Sequence, residues 1–316
     1  MLGHDAQMAR KQRLDLQLVE RGLAVSRQQA QQLIRAGKVR SGDRVLDKPG
    51  LELAPDADLQ VEQPPRFVSR GGEKLLGALA VFPLALEGRV CLDGGISTGG
   101  FTDCLLQHGA TRVYGVDVGY GQTAWSLRTD PRLVLKERTN LRHLQPDDLY
   151  GPEDPWPDLA VADVSFIRLA LVLPALGRLL RSERREALLL VKPQFEVGKE
   201  RVGKGGVVRD PAAHADAIDG VIAAAEGEGW RACGLVASPI TGPAGNHEYL
   251  LWLRSGAWEE TEPESEPKPE TAEPHGSEPG KVSLSRQDTS DQGKKAAGAP
   301  LNGEAIRRLV MATLAC

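Results

Sequence analysis

Arg89-Val-Cys-Leu-Asp-Gly-Gly-Ile-Ser-Thr-Gly-Gly-Phe-Thr-Asp103 is the stretch from which the rest of the chain is read. A short apolar run (Val90, Cys91, Leu92) ends in Asp93 and turns through Gly94, Gly95, Gly99 and Gly100. Phe101 to Leu106 then reads as a helix start, so the order is strand, glycine loop, helix. That order is the first unit of a doubly wound α/β sheet. The glycines let backbone N–H groups approach a ligand, and Ser97 and Thr98 add hydroxyls.

The next apolar run, Arg112 to Val116, ends in Asp117, twenty residues beyond Ser97. In such folds a carboxylate at this distance takes a ribose diol. A dinucleotide needs G-x-G-x-x-G to seat its pyrophosphate on a helix N-terminus, whereas this loop reads G-x-S-T-G-G behind an acid. S-adenosylmethionine has a sulfonium and an ammonium and no phosphate, so acids around the loop favour a methyl donor. A glycine-rich turn that binds nothing is the bland alternative, and the agreement of the loop with Asp117 disfavours it.

At 316 residues the chain exceeds one ordinary domain and can bury a sizeable core. No run is apolar enough to span a membrane, and no signal peptide opens the sequence. Cys91, Cys104, Cys233 and Cys316 lack metal-ligand spacing. They read as reduced thiols of a cytoplasmic protein without a metal site. The net charge of −4 is carried by the segment from Ser255 onward, which holds eleven acids against seven bases. Positive charge is concentrated at the front, where residues 10–48 hold ten bases and four acids.

The first seven residues read as a loose leader, with Met8 as an alternative start. Residues 8–62 form one unit. Arg13 to Gly22 and Ser26 to Gly37 are two short amphipathic helices, the second opening on a capping-box pattern, Ser26 to Gln29. A hairpin turn at Ser41-Gly-Asp and a strand near Asp58–Val61 follow. Arg13, Arg27, Arg35, Lys38, Arg40 and Arg44 are the candidate RNA-binding residues. A solvated basic helix pair is the alternative to an RNA-binding surface. The order helix, helix, "AGKVR", turn, strand resembles the S4 domain and favours RNA. Residues 63–68, with Pro64 and Pro65, read as a stiff linker.

Residues 69–254 form the second unit. Lys74 opens a helix running to about Val81, and another begins in Gly119–Trp125. Leu133–Glu137 is a third strand; Thr139 and Asn140 follow it, where this fold contacts an adenine. Leu159–Asp163 and Ala187–Lys192 are the fourth and fifth strands, with an apolar helix from Phe166 to Leu180 between them. Gly198–Gly206 is read as a mobile glycine- and lysine-rich loop near substrate, and His214–Gly229 as a helix. Gly234–Ser238 and His247–Leu253 are the last strands. Residues 255–300 are rich in Glu, Pro, Ser and Gly and read as disordered. Residues 301–316 regain helical periodicity but would be marginal as an isolated helix.

Ionisable residues recur at the carboxyl ends of successive strands, where open α/β sheets keep their sites. Asp163 and Lys192 end strands, Glu248 heads the last one, and Lys74 precedes the first unit. Brought to one rim, these four suit methyl transfer to a ribose 2′-hydroxyl, a poor nucleophile that must be oriented and must lose its proton. Lys192 is assigned to the hydroxyl, with Asp163 and Lys74 tuning and positioning it and Glu248 completing the network. The candidate cofactor residues are Asp93, Gly95, Ser97, Thr98, Gly99, Asp117, Asn140 and Asp163.

The Lys74, Asp163, Lys192, Glu248 pattern resembles the FtsJ-like 2′-O-ribose methyltransferases. "VSRGGEKL", "LDGGISTGGFTDCLL", "VYGVDVGYGQTAW", "LVKPQFEVGK" and "SPITGPAGNHEYLLWL" are more closely similar to the TlyA family, over roughly residues 8–254. The resemblance implies a Rossmann-like, S-adenosylmethionine-dependent α/β sheet of about seven strands, the last antiparallel, behind a small α+β S4-like domain. It implies methylation of cytidine 2′-hydroxyls in ribosomal RNA within ribosomal subunits, on a base flipped out of its stack, by a cytoplasmic monomer. Arg10–Arg13 and the terminal helix resemble the longer form of the family, which acts on both subunits; the shorter acts on the large subunit alone. The acidic stretch before that helix and Phe67, where the longer form tends to have tryptophan, depart from the pattern. The rival readings are a membrane-active haemolysin, a label the family has carried, a catalytically inert assembly factor, and a nicotinamide-dependent oxidoreductase.

Overall fold

The computed structural model describes residues 11–62, 65–181, 183–256 and 301–315. The leader, Met8 and residues 257–300 of the acidic tail lie outside them, while Ser255 and Gly256, read with that tail, instead end a strand. The chain divides into two compact units, residues 1–66 and 67–316.

In the first unit, β1 (Gln12–Arg13) pairs with β4 (Glu52–Leu53), and β2 (Val39–Ser41) lies between β3 (Arg44–Val45) and β5 (Gln60–Val61), all antiparallel. Helix α1 (Leu14–Glu20) buries Leu14 and Leu18, and α2 (Arg27–Arg35) buries Ala30 and Ile34. Each pair is four residues apart and so shares one helix face. Ser26 Oγ caps α2 by accepting from Gln29 N (3.2 Å), and Gln29 Oε1 accepts in return from Val25 N (2.7 Å). The β2–β3 hairpin pairs Ser41 with Arg44, leaving Gly42-Asp43 as the turn, with Gly42 at φ +56°. Asp15 is fully buried; it accepts from Arg13 (3.0 Å), Arg27 (2.9 Å) and Gln31 (2.9 Å).

The second unit is a seven-stranded sheet. Its strands are β6 (Val90–Gly94), β7 (Arg112–Val116), β8 (Leu133–Lys136), β9 (Leu159–Ala162), β10 (Arg184–Val191), β11 (Arg231–Ala237) and β12 (Tyr249–Gly256). They are ordered β11-β12-β10-β9-β6-β7-β8, with β12 antiparallel to both neighbours. The inner strands are buried on both faces, which is why they read as near-continuous apolar runs. Leu188 and Leu190 join the core with α3 (Gly71–Leu79) and α4 (Gly100–Gln107). Leu189 and Val191 join the other, with α6 (Leu173–Leu179) and α8 (Pro211–Gly227). The strand order reverses at β6, between β7 and β9, and an α/β sheet opens its crevice above that point.

Two expectations are corrected. The stretch 166–180 is not one helix: Leu169–Leu171 is a 3-10 turn, α6 begins only at Leu173, and Phe166 is 90% exposed at φ +63°. Pro174 sits in the first turn of α6, and Glu196 ties down the approach by accepting from Leu169 N (2.9 Å) and, at its carbonyl, from Arg168. The helix after Asp117 shrinks to α5 (Trp125–Arg128), because Gly119 N donates to Asp117 and Gly121 N to Glu137, holding that segment as a loop. Residues 198–206 form short turns at Lys199–Arg201 and Lys204–Gly206, and Arg201 bridges Asp210 (3.2 Å) and Asp216 (2.6 Å). A further short helix, α7 (Pro193–Glu196), leads into them. The terminal helix α9 (Gly303–Leu314) is capped by Asn302 and docks on α8, burying Ile306 and Val310.

Candidate active site

The glycine loop after β6 takes positive φ at Gly95 (+84°), Ser97 (+48°) and Gly99 (+99°). A Cβ on Gly99 would lie 2.2 Å from Leu127 Cδ1, so only glycine fits there. Ser97 tolerates its strained backbone because its neighbours hold it. Its N–H donates to Asp117 Oδ2 (2.8 Å), its carbonyl accepts from Thr123 Oγ1 (3.0 Å), and its hydroxyl donates to Gln122 (3.3 Å). The loop and the acid at the end of β7 therefore form one structure.

Above this loop lies a cavity of about 430 Å³, large enough for a small organic ligand. Asp117, Gln122, Asn140, Leu141, Val164 and Ile167 are among the residues that line it. A second cavity of about 90 Å³ shares Gly95, Ser97 and Asp163 with it and adds Ser69, Asp93, Thr98 and Gly100. Three carboxylates (Asp93, Asp117, Asp163) and no lysine or arginine line the two, a poor setting for a pyrophosphate and a good one for a cation.

Asp93 makes the case most directly. It is 1% exposed, and its Oδ2 accepts from Thr102 N (3.1 Å) and Thr102 Oγ1 (2.7 Å). Its Oδ1 is buried with no hydrogen-bond partner among the described residues. Burial, opposed only in part by Thr102, pushes its carboxyl up to about 7. A buried carboxylate oxygen without a donor is what an incoming ammonium would satisfy, so these residues fit S-adenosylmethionine.

The four candidate catalytic residues come together at the rim. Lys192 Nζ lies 2.5 Å from Asp163 Oδ1, Asp163 Oδ2 lies 3.9 Å from Lys74 Nζ, and Lys74 Nζ donates to Glu248 Oε2 at 2.6 Å. The elements explain the meeting: Asp163 and Lys192 follow the neighbouring strands β9 and β10, Glu248 enters β12 beside β10, and Lys74 is carried on α3. Lys74 and Lys192 are each 7% exposed and Glu248 2%, so two cations and two anions balance in a largely dry cluster.

Sequence reasoning missed Ser165, whose Oγ accepts from Lys192 Nζ at 2.8 Å. Its spacing was the available signal, since residues 163 and 165 of an extended segment fall on one side. It also missed Gln122 and Ser69, which lie in a turn and ahead of a helix and carry no charge.

In the first unit, Arg35, Arg40 and Arg44 are exposed and make no ion pair among the described residues. Arg13 and Arg27 instead converge on buried Asp15, and Lys38 pairs with Glu62 (2.7 Å). Among the described residues no helix is long and apolar enough to cross a membrane.

The model of the FtsJ-like methyltransferase family matches residues 67–255, and that of the S4 domain residues 12–59. The chain is 52% identical over 250 residues to the 16S/23S rRNA (cytidine-2'-O)-methyltransferase TlyA of Mycobacterium tuberculosis, covering 78% of this chain and 91% of that protein. It is 50% identical over 246 residues to YqxC, a candidate rRNA methyltransferase of Bacillus subtilis, covering 78% and 86%. A solved structure from Streptococcus thermophilus, described as a candidate hemolysin, matches with a TM-score of 0.58 at 41% identity, covering 78% of this chain and 90% of that one. With both domains in order and half of the aligned residues identical to such relatives, the chain belongs to the TlyA family of FtsJ-like methyltransferases.

Proposed function

We propose that the protein transfers a methyl group from S-adenosylmethionine to the 2′-hydroxyl of cytidine in ribosomal RNA. The observation that carries this reading is the Lys192–Asp163–Lys74–Glu248 chain, whose Asp163 lines both cavities, the smaller of them lined also by the buried, unsatisfied Asp93. Asp93 would hold the ammonium, with Gly95, Ser97, Thr98 and Gly99 around the amino-acid end. Asp117 would take the ribose diol and Asn140 would meet the adenine, and Asp163, which lines both cavities, would complete the cofactor site. When bound, the cofactor supplies an electrophilic methyl on its sulfonium.

The protein's part is positioning and charge. Lys192 Nζ donates to Ser165 Oγ and lies 2.5 Å from Asp163 Oδ1 as its ion-pair partner, and a further N–H would turn to the substrate oxygen. Lys192 orients the 2′-hydroxyl and stabilises negative charge on it as its proton leaves to water. Glu248 fixes Lys74, and Lys74 in turn backs Asp163, so the carboxylate that orients Lys192 cannot swing away. Arg35, Arg40 and Arg44 would grip RNA phosphates; Lys38, Arg13 and Arg27, already paired, add charge around them. A monomer acting in the cytoplasm on both ribosomal subunits is the form we favour, given the terminal helix α9.

Transfer of tritiated methyl from S-adenosylmethionine to purified small and large subunits tests this. Wild type is expected to label both, and Lys192→Ala to lose about 10²–10³-fold in rate. Label in the large subunit alone would narrow the substrate. Wild-type protein that binds the cofactor yet labels neither subunit would overturn the reading.

A further inference from the structure

Two buried polar residues outside the catalytic cluster, Asn246 and His214, grip one short piece of backbone, and a third, Tyr249, holds His214. Asn246, 3% exposed, accepts from Val208 N at 3.0 Å and donates to the Gly206 carbonyl at 2.8 Å. His214, fully buried on α8, contacts the Val208 carbonyl through Nε2 (2.9 Å) and the Tyr249 hydroxyl through Nδ1 (3.0 Å). A carbonyl can only accept, so Nε2 carries the proton and Nδ1 accepts from Tyr249. Both polar groups of Val208 are thus held by side chains, although Val208 belongs to neither a helix nor a strand.

The held segment closes the loop that leaves Lys192 through α7 and carries Lys199, Arg201 and Lys204. The residues that hold it bracket Glu248: Asn246 lies two positions before it and Tyr249 one after. Asn246 also knits the turn in front of Glu248, because its carbonyl accepts from Gly242 N (2.8 Å). Arg201 ties the loop to Asp210 and Asp216, but with Lys199 and Lys204 exposed, positive φ at Gly205 and Gly206 and little apolar burial, its far end depends on Asn246 and His214.

We propose that Asn246 and His214 are positioning residues, a latch that registers the cationic loop 198–208 against the chain segment bearing Glu248. Substrate RNA then meets the loop and the Lys74–Glu248 pair in one fixed relation. The inference rests on the proposed RNA methylation for its kinetic consequence and not for its structural one. None of the latch residues lines either cavity, so cofactor binding is separable from latch function.

The test uses the full chain with Asn246→Asp, Tyr249→Phe, His214→Phe and His214→Gln. Asn246→Asp places a second acceptor against the Gly206 carbonyl, Tyr249→Phe and His214→Phe remove latch bonds, and His214→Gln can still donate to Val208 and accept from Tyr249. Limited trypsin digestion should show new cuts after Lys199, Arg201, Lys204 or Arg209 in the first three variants and not in His214→Gln. Their KM for ribosomal subunits should rise about tenfold while the S-adenosylmethionine Kd stays within about twofold. A wild-type digestion pattern in Asn246→Asp and Tyr249→Phe overturns the latch, whether or not wild type methylates RNA. Equal loss of cofactor binding and activity, with no rescue by His214→Gln, also overturns it by showing a role only in overall folding. Wild type that fails to methylate while the variants open to trypsin would sink the proposed function and leave the latch standing.

Discussion

Each unit of the molecule hides an aspartate, and the two are handled in opposite ways. Asp15 in the first unit is fully buried but meets Arg13, Arg27 and Gln31, and the Arg13 hydrogen bond leads the effects that hold its carboxyl well below the usual range. Asp93 in the second unit is as deeply buried, among the described residues meets only Thr102 and keeps one oxygen unsatisfied, and is pushed up to about 7. Burial alone does not distinguish a structural acid from a functional one; the count of donors does. Asp15 is complete within the chain, whereas Asp93 lacks a donor the chain does not provide. An active-site group is expected to be the incomplete one, because its missing partner is the ligand.

Removing the charge at Asp93 is the strongest way to break the contrast. Asp93→Asn should weaken S-adenosylmethionine binding about 10–100-fold, the loss of one charge-assisted contact, by calorimetric titration. It should also raise the melting temperature of the ligand-free protein, and more at pH 8 than at pH 5. The sign follows from the raised carboxyl. The protonated form is favoured in the folded state, so its stabilisation is full below the unfolded value of 3.8 and is lost as pH rises towards about 7. Asparagine behaves as the protonated form at every pH. An unchanged Kd would remove Asp93 from the cofactor site.

The same group predicts a pH profile of slightly smaller size. An ammonium pairs with ionised Asp93, so cofactor affinity should fall about tenfold between pH 8 and pH 6, with proton release on binding on the acidic side. In Asp93→Asn the profile should be flat over that range. A wild-type profile that is itself flat would show that the carboxyl is ionised before the ligand arrives, and would make the two aspartates alike.

What was legible in the sequence divides along the same line. The loop after β6 and the fold class could be read because glycines, Asp93 and Asp117 lie close together in the chain and their spacing is local. Asp163 and Lys192 were legible because apolar strands end in them. Lys74 and Glu248, 174 residues apart, meet only through strand order, which the family resemblance supplied and periodicity did not. The apolar stretch from Phe166 to Leu180 suggested one helix, since nothing local announces that Glu196 will hold Leu169 from across the chain. Asp15 showed the same gap from the other side. In a count of charges it was one of four acids among ten bases, and only the fold turns Arg13 and Arg27 inward upon it. Asn246 and His214 were likewise invisible, their shared partner being backbone rather than a side chain with a signature.

The smallest expected effect belongs to Asp15, and it is the one that shows whether donor count is the right criterion. Asp15→Asn keeps the shape but leaves two guanidinium groups facing a neutral amide. Because Arg13 and Arg27 are 42% and 54% exposed and can turn to water, the loss should be only about 1–2 kcal/mol. Asp15 has a depressed carboxyl, so its contribution is present above the ordinary carboxylate value of about 4 and is lost as pH falls below it, the reverse of Asp93. All five tryptophans lie at Trp125 and beyond, so fluorescence melting reports the second unit alone, while amide exchange in α1 and α2 reports the first. The expected outcome is faster exchange in α1 and α2, an unmoved tryptophan transition and an unchanged cofactor Kd. If Asp15→Asn instead stabilised α1 and α2, as Asp93→Asn should stabilise its own unit, three donors would not have sufficed to offset burial. The distinction between a completed carboxylate and a waiting one would then fail at its simpler end.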